Sequence, residues 1–333
     1  MHKDDSTYAS PFVVVSTPHM HEMAARCCAH ITGKHGVTFP HHRVEYKVFA
    51  SGEVLPLIPE TVRRQHVFLF HALQHPTPND ALMRMLVLND ALARASVHGI
   101  TLVTPFMSYL RQDRKHKKRM PISGRMIADL IESNRQAERV ITADMHADQA
   151  QGFFTIPVDN LTCFGLLADH CREKLGGDVS NVVVVSPDFG GAVRARSLAK
   201  RLRVPVAIFE KRRDEDGVAE VDMLIGESIV EKRVIICDDI IDTGGTMRAT
   251  VKELLARGAK EIEVWTTHAI LSGNAAQLFA DGGYRITCTD SIPRSQSYCE
   301  KNASWLTVVS MDVLLAEAVY EASLVGGSVS KLF

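Results

Sequence analysis

The sequence carries no surplus of charge of either sign. Its formal net charge is −1 over 333 residues, so global electrostatics point to neither nucleic acid nor an anionic membrane as a partner. Any anion binding must be local. A disulfide framework is also missing. The seven cysteines, at 27, 28, 163, 171, 237, 288 and 299, form no C-x-x-C pair and are odd in number, which is the usage of reduced thiols in a cytoplasmic protein. No apolar run approaches the roughly 20 residues that span a bilayer. The polar start, Met-His-Lys-Asp-Asp-Ser, does not have the character of a signal peptide. Fifteen histidines are present, many of them before His75, but their spacing makes no zinc pattern, and they read mostly as surface residues. No Pro- or Ser-rich linker interrupts the chain. What remains is an ordinary globular composition, long enough for about two domains that pack firmly together.

What is present is a regular alternation of short apolar runs and helical stretches. The runs fall at 12–15, 44–49, 67–70, 100–103 and 140–142, then at 182–185, 206–209, 234–237, 262–265 and 307–309. Between them, residues 80–97, 123–133, 162–175 and 192–202 carry apolar side chains three and four apart, the spacing of one helix face. This predicts an α/β fold of two similar domains, each with a mainly parallel five-stranded sheet flanked by helices. The expected boundary lies near 157–161 and divides residues 10–158 from residues 159–333. The C-terminal tail is a candidate to pack back on the N-terminal domain.

The densest chemistry lies in Arg233-Val-Ile-Ile-Cys-Asp-Asp-Ile-Ile-Asp-Thr-Gly-Gly-Thr-Met247. Residues 234–237 suit a buried strand, and Asp238 and Asp239 stand at its carboxyl end. Thr243, Gly244, Gly245 and Thr246 form a turn whose glycines let backbone N–H groups converge and a ligand approach closely. A helix from Met247 to Arg257 follows, with Gly258 where a C-terminal cap belongs. Convergent N–H groups at a helix start make a phosphate seat. The paired aspartates would repel that phosphate, so they suit sugar hydroxyls or a hydrated Mg²⁺.

Other clusters stand at strand ends, where open α/β sheets bind ligands. Phe49-Ala-Ser-Gly-Glu53 offers an aromatic face, a glycine and a carboxylate; alone it reads as a plain turn. Arg111-Gln-Asp-Arg-Lys-His-Lys-Lys-Arg119 packs six cations into nine residues, which suits a polyphosphate at least as well as a solvated face. His146 and Asp188 end one apolar run in each half, and together they suit a divalent ion or phosphate groups across the boundary. Lys211-Arg-Arg-Asp-Glu-Asp-Gly217 reads as a mobile loop whose cations could close over a polyanion.

Taken in this order, the clusters resemble those of the ribose-phosphate diphosphokinases, the phosphoribosyl pyrophosphate synthetases, from about residue 16 to residue 333. The likeness also rests on Asp144-Met-His-Ala-Asp-Gln-Ala-Gln-Gly-Phe-Phe154 and Val185-Ser-Pro-Asp-Phe-Gly-Gly191. It implies two domains of type I phosphoribosyltransferase-like architecture, with ATP on the N-terminal side and ribose 5-phosphate on the C-terminal side. It implies transfer of the β,γ-diphosphoryl group of Mg·ATP to the anomeric hydroxyl of ribose 5-phosphate, with Mg²⁺ as cofactor. By motif, Phe49, Ser51, Glu53, Arg111, Gln112 and His146 would serve ATP. Asp238, Asp239, Asp242, Thr243, Gly244, Gly245 and Thr246 would hold ribose 5-phosphate. His146 and Asp188 match metal-associated positions, and Lys211 and Arg213 match the catalytic loop. A homo-oligomer, a hexamer or another ring of dimers, is implied as well. The chain departs from the family at Ser51, where an acid is usual, and at His71-Ala72, where Gln-Ser is usual. The family's regulatory phosphate site corresponds to Thr61 and Arg63 with Ser328 and Ser330. Two other readings share part of these motifs: a phosphoribosyltransferase that consumes phosphoribosyl pyrophosphate, and a non-catalytic paralogue that regulates a synthetase.

Overall fold

The computed structural model describes residues 11–133, 136–213 and 219–332, without the side chains of residues 210–222. The chain divides into two units. One runs through Leu161 and is rejoined by the segment from Asp312 onward; the other is Thr162–Met311.

The first unit is built on β1 (Phe12–Ser16), α1 (His21–His35), β2 (His41–Arg43), β3 (Glu45–Val48), β4 (Val54–Leu57) and β5 (His66–Phe70). It continues through α2 (Pro78–Arg94), β6 (Gly99–Val103), α3 (Ser123–Ile131), β7 (Ala137–Ala143) and β8 (Val158–Leu161). Six strands form a parallel sheet in the order β2-β1-β5-β6-β7-β8. Its central strands read FVVVS, HVFLF and GITLV and are almost wholly buried, as parallel strands covered on both faces must be. Thr77 starts α2 by accepting the Asp80 N–H at 3.2 Å, with Pro78 just inside the helix, where its missing N–H is no loss.

The run 44–49 does not join this sheet as expected. Only Val44 is buried, and β3 pairs antiparallel with β4 as a separate two-stranded ribbon. Glu45 and Lys47 alternate with Tyr46 and Val48, so the strand lacks the two apolar faces that a central parallel strand needs. The short strands β2 and β8 complete the sheet instead, giving six strands rather than five.

The second unit contains α4 (Phe164–Lys174), β9 (Val182–Ser186), α5 (Ala192–Leu202), β10 (Val206–Arg213), β11 (Ala219–Gly226) and β12 (Arg233–Ile241). There follow α6 (Gly245–Ala256), β13 (Glu261–Ala269), α7 (Ala275–Gly282), β14 (Arg285–Thr289), α8 (Gln296–Lys301) and β15 (Leu306–Val309). The sheet order is β11-β10-β9-β12-β13-β14-β15, with only the β10–β11 pair antiparallel. Seven strands stand where five were expected. Both missed strands mix polar with apolar residues: β11 reads AEVDMLIG and β14 reads RITCT.

The last helix, α9 (Asp312–Ser323), belongs to the first unit and lies on α1. Arg26 Nε meets Asp312 at 3.0 Å, while Lys34, His30 and His35 converge on Glu317 at 2.9, 2.8 and 3.0 Å. The His35 ring stacks on Tyr320. The histidines are not mostly superficial: His42, His71 and His268 are buried, and seven more are half-buried. They are held by local partners, such as the Ser16 hydroxyl, which bonds both His21 and His41. Burial pushes His41, His66 and His71 down to about 4, so they sit in the fold as neutral side chains. All seven cysteines are free thiols. Among the described residues no helix is long and apolar enough to cross a membrane.

Candidate active site

In the second sheet the chain leaves β9 toward β10 on one side and leaves β12 toward β13 on the other. The loops that follow β9 and β12 therefore diverge, and this switch point is where an open α/β sheet leaves a crevice for a ligand. After β9 come Pro187, Asp188, Phe189, Gly190 and Gly191. The exposed Asp188 uses Oδ1 to accept the Gly191 N–H at 2.9 Å, and the Ser186 hydroxyl donates to its carbonyl at 2.7 Å. The loop folds so tightly that a Cβ on Gly191 would lie 2.7 Å from Ser186 Oγ.

On the other side β12 runs on to Ile241, past the expected end at Cys237, so the acidic pair is part of the strand. Asp238 faces Thr266 in the ladder, and Asp239 is buried at 2% exposure. The Asp239 N–H donates to Asp238 Oδ1 at 2.9 Å. Arg194, reaching over from α5, places Nη1 3.2 Å from Asp239 Oδ1. Burial and the neighbouring Asp239 carboxylate push the Asp238 carboxyl well above the ordinary range, and Asp188 pushes the same way. Three carboxylates thus share one neighbourhood with the Arg194 guanidinium, an arrangement that suits hydroxyl donors or a cation. Among the described residues no group of three His, Cys, Asp or Glu side chains could by itself hold a metal ion. The donor set fits a hard ion that keeps water and substrate oxygens as most of its ligands.

The turn after β12 is built as the sequence suggests. Gly244 has φ +75 and serves as N-cap of α6, which has no side-chain cap. The first N–H groups of a helix have no intrahelical partner, so Gly245, Thr246 and Met247 present donors at the positive end of the helix dipole. A side chain at Gly244 would meet the Phe279 ring at 2.8 Å. Thr243 and Thr246 are exposed beside this turn, and Asp242 is half-buried at its start.

In the first unit, the loops after β6 and β7 lie side by side because their strands are neighbours. The Ala143 N–H donates to the Pro105 carbonyl at 3.1 Å, and Gln149 Nε2 donates to Asp113 Oδ2 at 3.0 Å. This brings the Arg111–Gln112 loop next to the segment carrying His146. Arg111, Arg114, Lys115, Lys117, Lys118, Arg119 and His146 are exposed. Asp144, at the start of that segment, has φ 35 and is 8% exposed, a left-handed strain that recurs at functional sites. Phe49, Ser51 and Glu53 occupy the turn of the β3–β4 ribbon. Gly52 turns at φ +91, Ser51 Oγ donates to Glu53 Oε2 at 2.7 Å, and the Phe49 ring is 42% exposed beneath Lys47 Nζ.

The chain is similar to known proteins. Residues 12–134 match the model of the N-terminal domain of ribose phosphate pyrophosphokinase, and residues 161–296 match the phosphoribosyl transferase domain. A ribose-phosphate pyrophosphokinase of Ralstonia nicotianae is 46% identical over 74% of this chain and 76% of its own length. One from Rhizobium meliloti is 42% identical over 89% and 94%. The chain belongs to the ribose-phosphate pyrophosphokinases. The crystal structure of the phosphoribosylpyrophosphate synthetase of Mycobacterium smegmatis superposes with a TM-score of 0.82 at 34% identity, covering 94% of this chain and 99% of that one. The α/β architecture with phosphoribosyltransferase-type sheets is therefore that of this pyrophosphokinase family, whose chemistry is consistent with a metal cofactor.

One expectation changes. Lys211 and Arg213 are not in a loop: their backbones belong to β10, with Lys211 opposite Asp222 and a register shift between Arg212 and Arg213. Their side chains, and residues 214–218, lie outside the described residues. His146 and Asp188 fall in different units, one in each half, as the sequence reading has it. Sequence reasoning passed over Arg194 altogether. Its one local signal is a basic residue in the first turn of a helix, where acids are favoured.

Proposed function

We propose that the chain transfers the β,γ-diphosphoryl group of Mg·ATP to the anomeric hydroxyl of ribose 5-phosphate, giving 5-phosphoribosyl 1-pyrophosphate and AMP for nucleotide synthesis. The observation that carries this reading is the acceptor constellation of the second unit, in a chain of this family. The uncapped start of α6 at Gly244 follows β12, which carries Asp238 and Asp239, and Asp188 acts electrostatically on Asp238. The 5-phosphate would take the N–H groups and hydroxyls of Thr243, Gly244, Gly245 and Thr246, with Asp242 at the turn's start. Asp238 and Asp239 would accept the ribose hydroxyls.

The acceptor oxygen forms a bond to Pβ while the bond from Pβ to the α-phosphate oxygen breaks, leaving AMP; the hydroxyl proton goes to solvent. Positioning and charge neutralisation are what such a transfer asks of a protein. On the donor side Phe49 and Glu53 would receive the adenine, with Ser51 in their turn, and Arg111, Gln112 and His146 the phosphates. Lys211 and Arg213 would meet charge developing on the transferred group. Asp188 and Asp238 are the residues of the second unit that would hold Mg²⁺, and His146 is the metal-associated position of the first unit; the ion would supply neutralisation of phosphate charge. We assign ATP to the first unit, the expected domain of residues 10–158, and ribose 5-phosphate to the second, the expected domain of residues 159–333 less the segment from Asp312 onward. We further place the enzyme in the cytoplasm, on its free thiols, as a homo-oligomer, a hexamer or another ring of dimers, in which adenine sites are completed by a neighbouring subunit. Thr61, Arg63, Ser328 and Ser330 are the positions for a regulatory phosphate.

The test is a coupled assay with ribose 5-phosphate and Mg·ATP, in which AMP and phosphoribosyl pyrophosphate form in equal amounts. Folded protein that makes no AMP with any of several divalent ions overturns the reading. Lys211→Ala is expected to lower kcat by a factor on the order of 10², as for losing a preorganised donor to transition-state charge.

A further inference from the structure

Arg194 stands where helix electrostatics disfavour a cation. It is the third residue of α5, within the turn whose N–H groups form the positive end of the dipole. A local rule broken without local gain marks a site with another task. Its side chain does not extend into water: it is 20% exposed and lies on Asp239, whose side chain is 3% exposed. Asp239 in turn holds Asp238 through its backbone N–H. Arg194 therefore orders the acidic pair from one side, and Asp188, at the preceding loop, adds a third negative group nearby.

We propose that Arg194 is a positioning residue for the sugar phosphate, acting through Asp239. This rests on the acceptor reading given above. By holding the Asp239 carboxylate in one orientation it aims that group at ribose hydroxyls. By offsetting one of three carboxylate charges it lets a phosphate dianion enter at the start of α6, close to the same strand. Shape alone would not need a charged residue here; the neighbouring phosphate seat does. A lysine would supply the charge without the planar fork of a guanidinium, so it restores only part of the effect.

The experiment compares the full-length protein with Arg194→Met and Arg194→Lys. Ribose 5-phosphate is titrated calorimetrically without nucleotide, and kcat and both KM values are measured with Mg·ATP. A charge-assisted contact of this kind corresponds to about 10- to 100-fold in affinity. Arg194→Met is expected to weaken ribose 5-phosphate binding and raise its KM by that factor, with the KM for ATP within about twofold. Arg194→Lys is expected to fall between the two. In an Asp239→Asn background, Arg194→Met should add less than about twofold, since coupled residues are not additive. Equal rises in both KM values, or full additivity with Asp239→Asn, overturn the proposal. If Arg194→Met does not fold, Arg194→Lys carries the same comparison: a ribose 5-phosphate KM unchanged from wild type then overturns it. Wild-type protein that binds no ribose 5-phosphate refutes the acceptor reading instead, so the two failures are distinguishable.

Discussion

Glu317 gives the sharpest test of how the chain's two ends are joined. Burial would raise its carboxyl, but hydrogen bonds from Lys34, His35 and His30 outweigh burial and hold it down at about 2, from an ordinary 4.5. At 1.36 kcal/mol per unit the full shift corresponds to about 3 kcal/mol. Lys34 is 53% exposed, and solvent screening of such a partner leaves about 1–2 kcal/mol. Because the folded pKa is depressed, this stabilisation is complete above the unfolded value near 4.5. It is lost as pH falls toward 2. Glu317→Gln should therefore destabilise the protein by about 1–2 kcal/mol at pH 7, or roughly 2–8 °C in melting temperature for a unit of this size. Urea unfolding followed by circular dichroism, at steps from pH 7 to pH 3, reads the difference directly. The gap between wild type and variant should narrow steadily below pH 4.5. A gap that stays constant across that range, or is absent at pH 7, refutes the account of the α1–α9 junction.

Other consequences follow from single contacts. Gly244→Ala puts a Cβ 2.8 Å from the Phe279 ring at φ +75; it should cost about 1–3 kcal/mol and raise the ribose 5-phosphate KM at least about 10-fold, seen by melting and by steady-state kinetics. Lys174→Met leaves the Glu263 carboxylate, 6% exposed, with Trp265 Nε1 as its remaining identified partner. A loss of about 3–5 kcal/mol is expected, and calorimetric melting should show that Glu263→Gln in the same chain recovers part of it.

The glycine turn before α6, the acidic pair and the cationic segment after β6 were legible as local features because each is a contiguous string whose character depends on neighbours in sequence. Alternating apolar runs and helical spacing likewise sufficed for an α/β fold of two sheets, since burying both faces of a parallel strand leaves a continuous apolar signature. Strands that are short or that mix polar with apolar residues leave no such signature, whether at an edge, as β2, β8 and β11 are, or inside the sheet, as β14 is. The short strands β2 and β8 and the mixed strands β11 and β14 were therefore missed, and the polar strand β3 was assigned to the wrong sheet. Histidine burial was invisible for the same reason: an imidazole is polar in a sequence, yet is buried once a hydroxyl or carbonyl meets it. The sequence by itself determined the glycine turn at the start of α6 and the α/β fold of two sheets. Only the tertiary structure decided that Arg194 of α5 reaches Asp239 of β12, and that α9 returns to α1 through Glu317. Both are contacts between residues far apart in the chain, and no local periodicity records which distant side chain completes a charge.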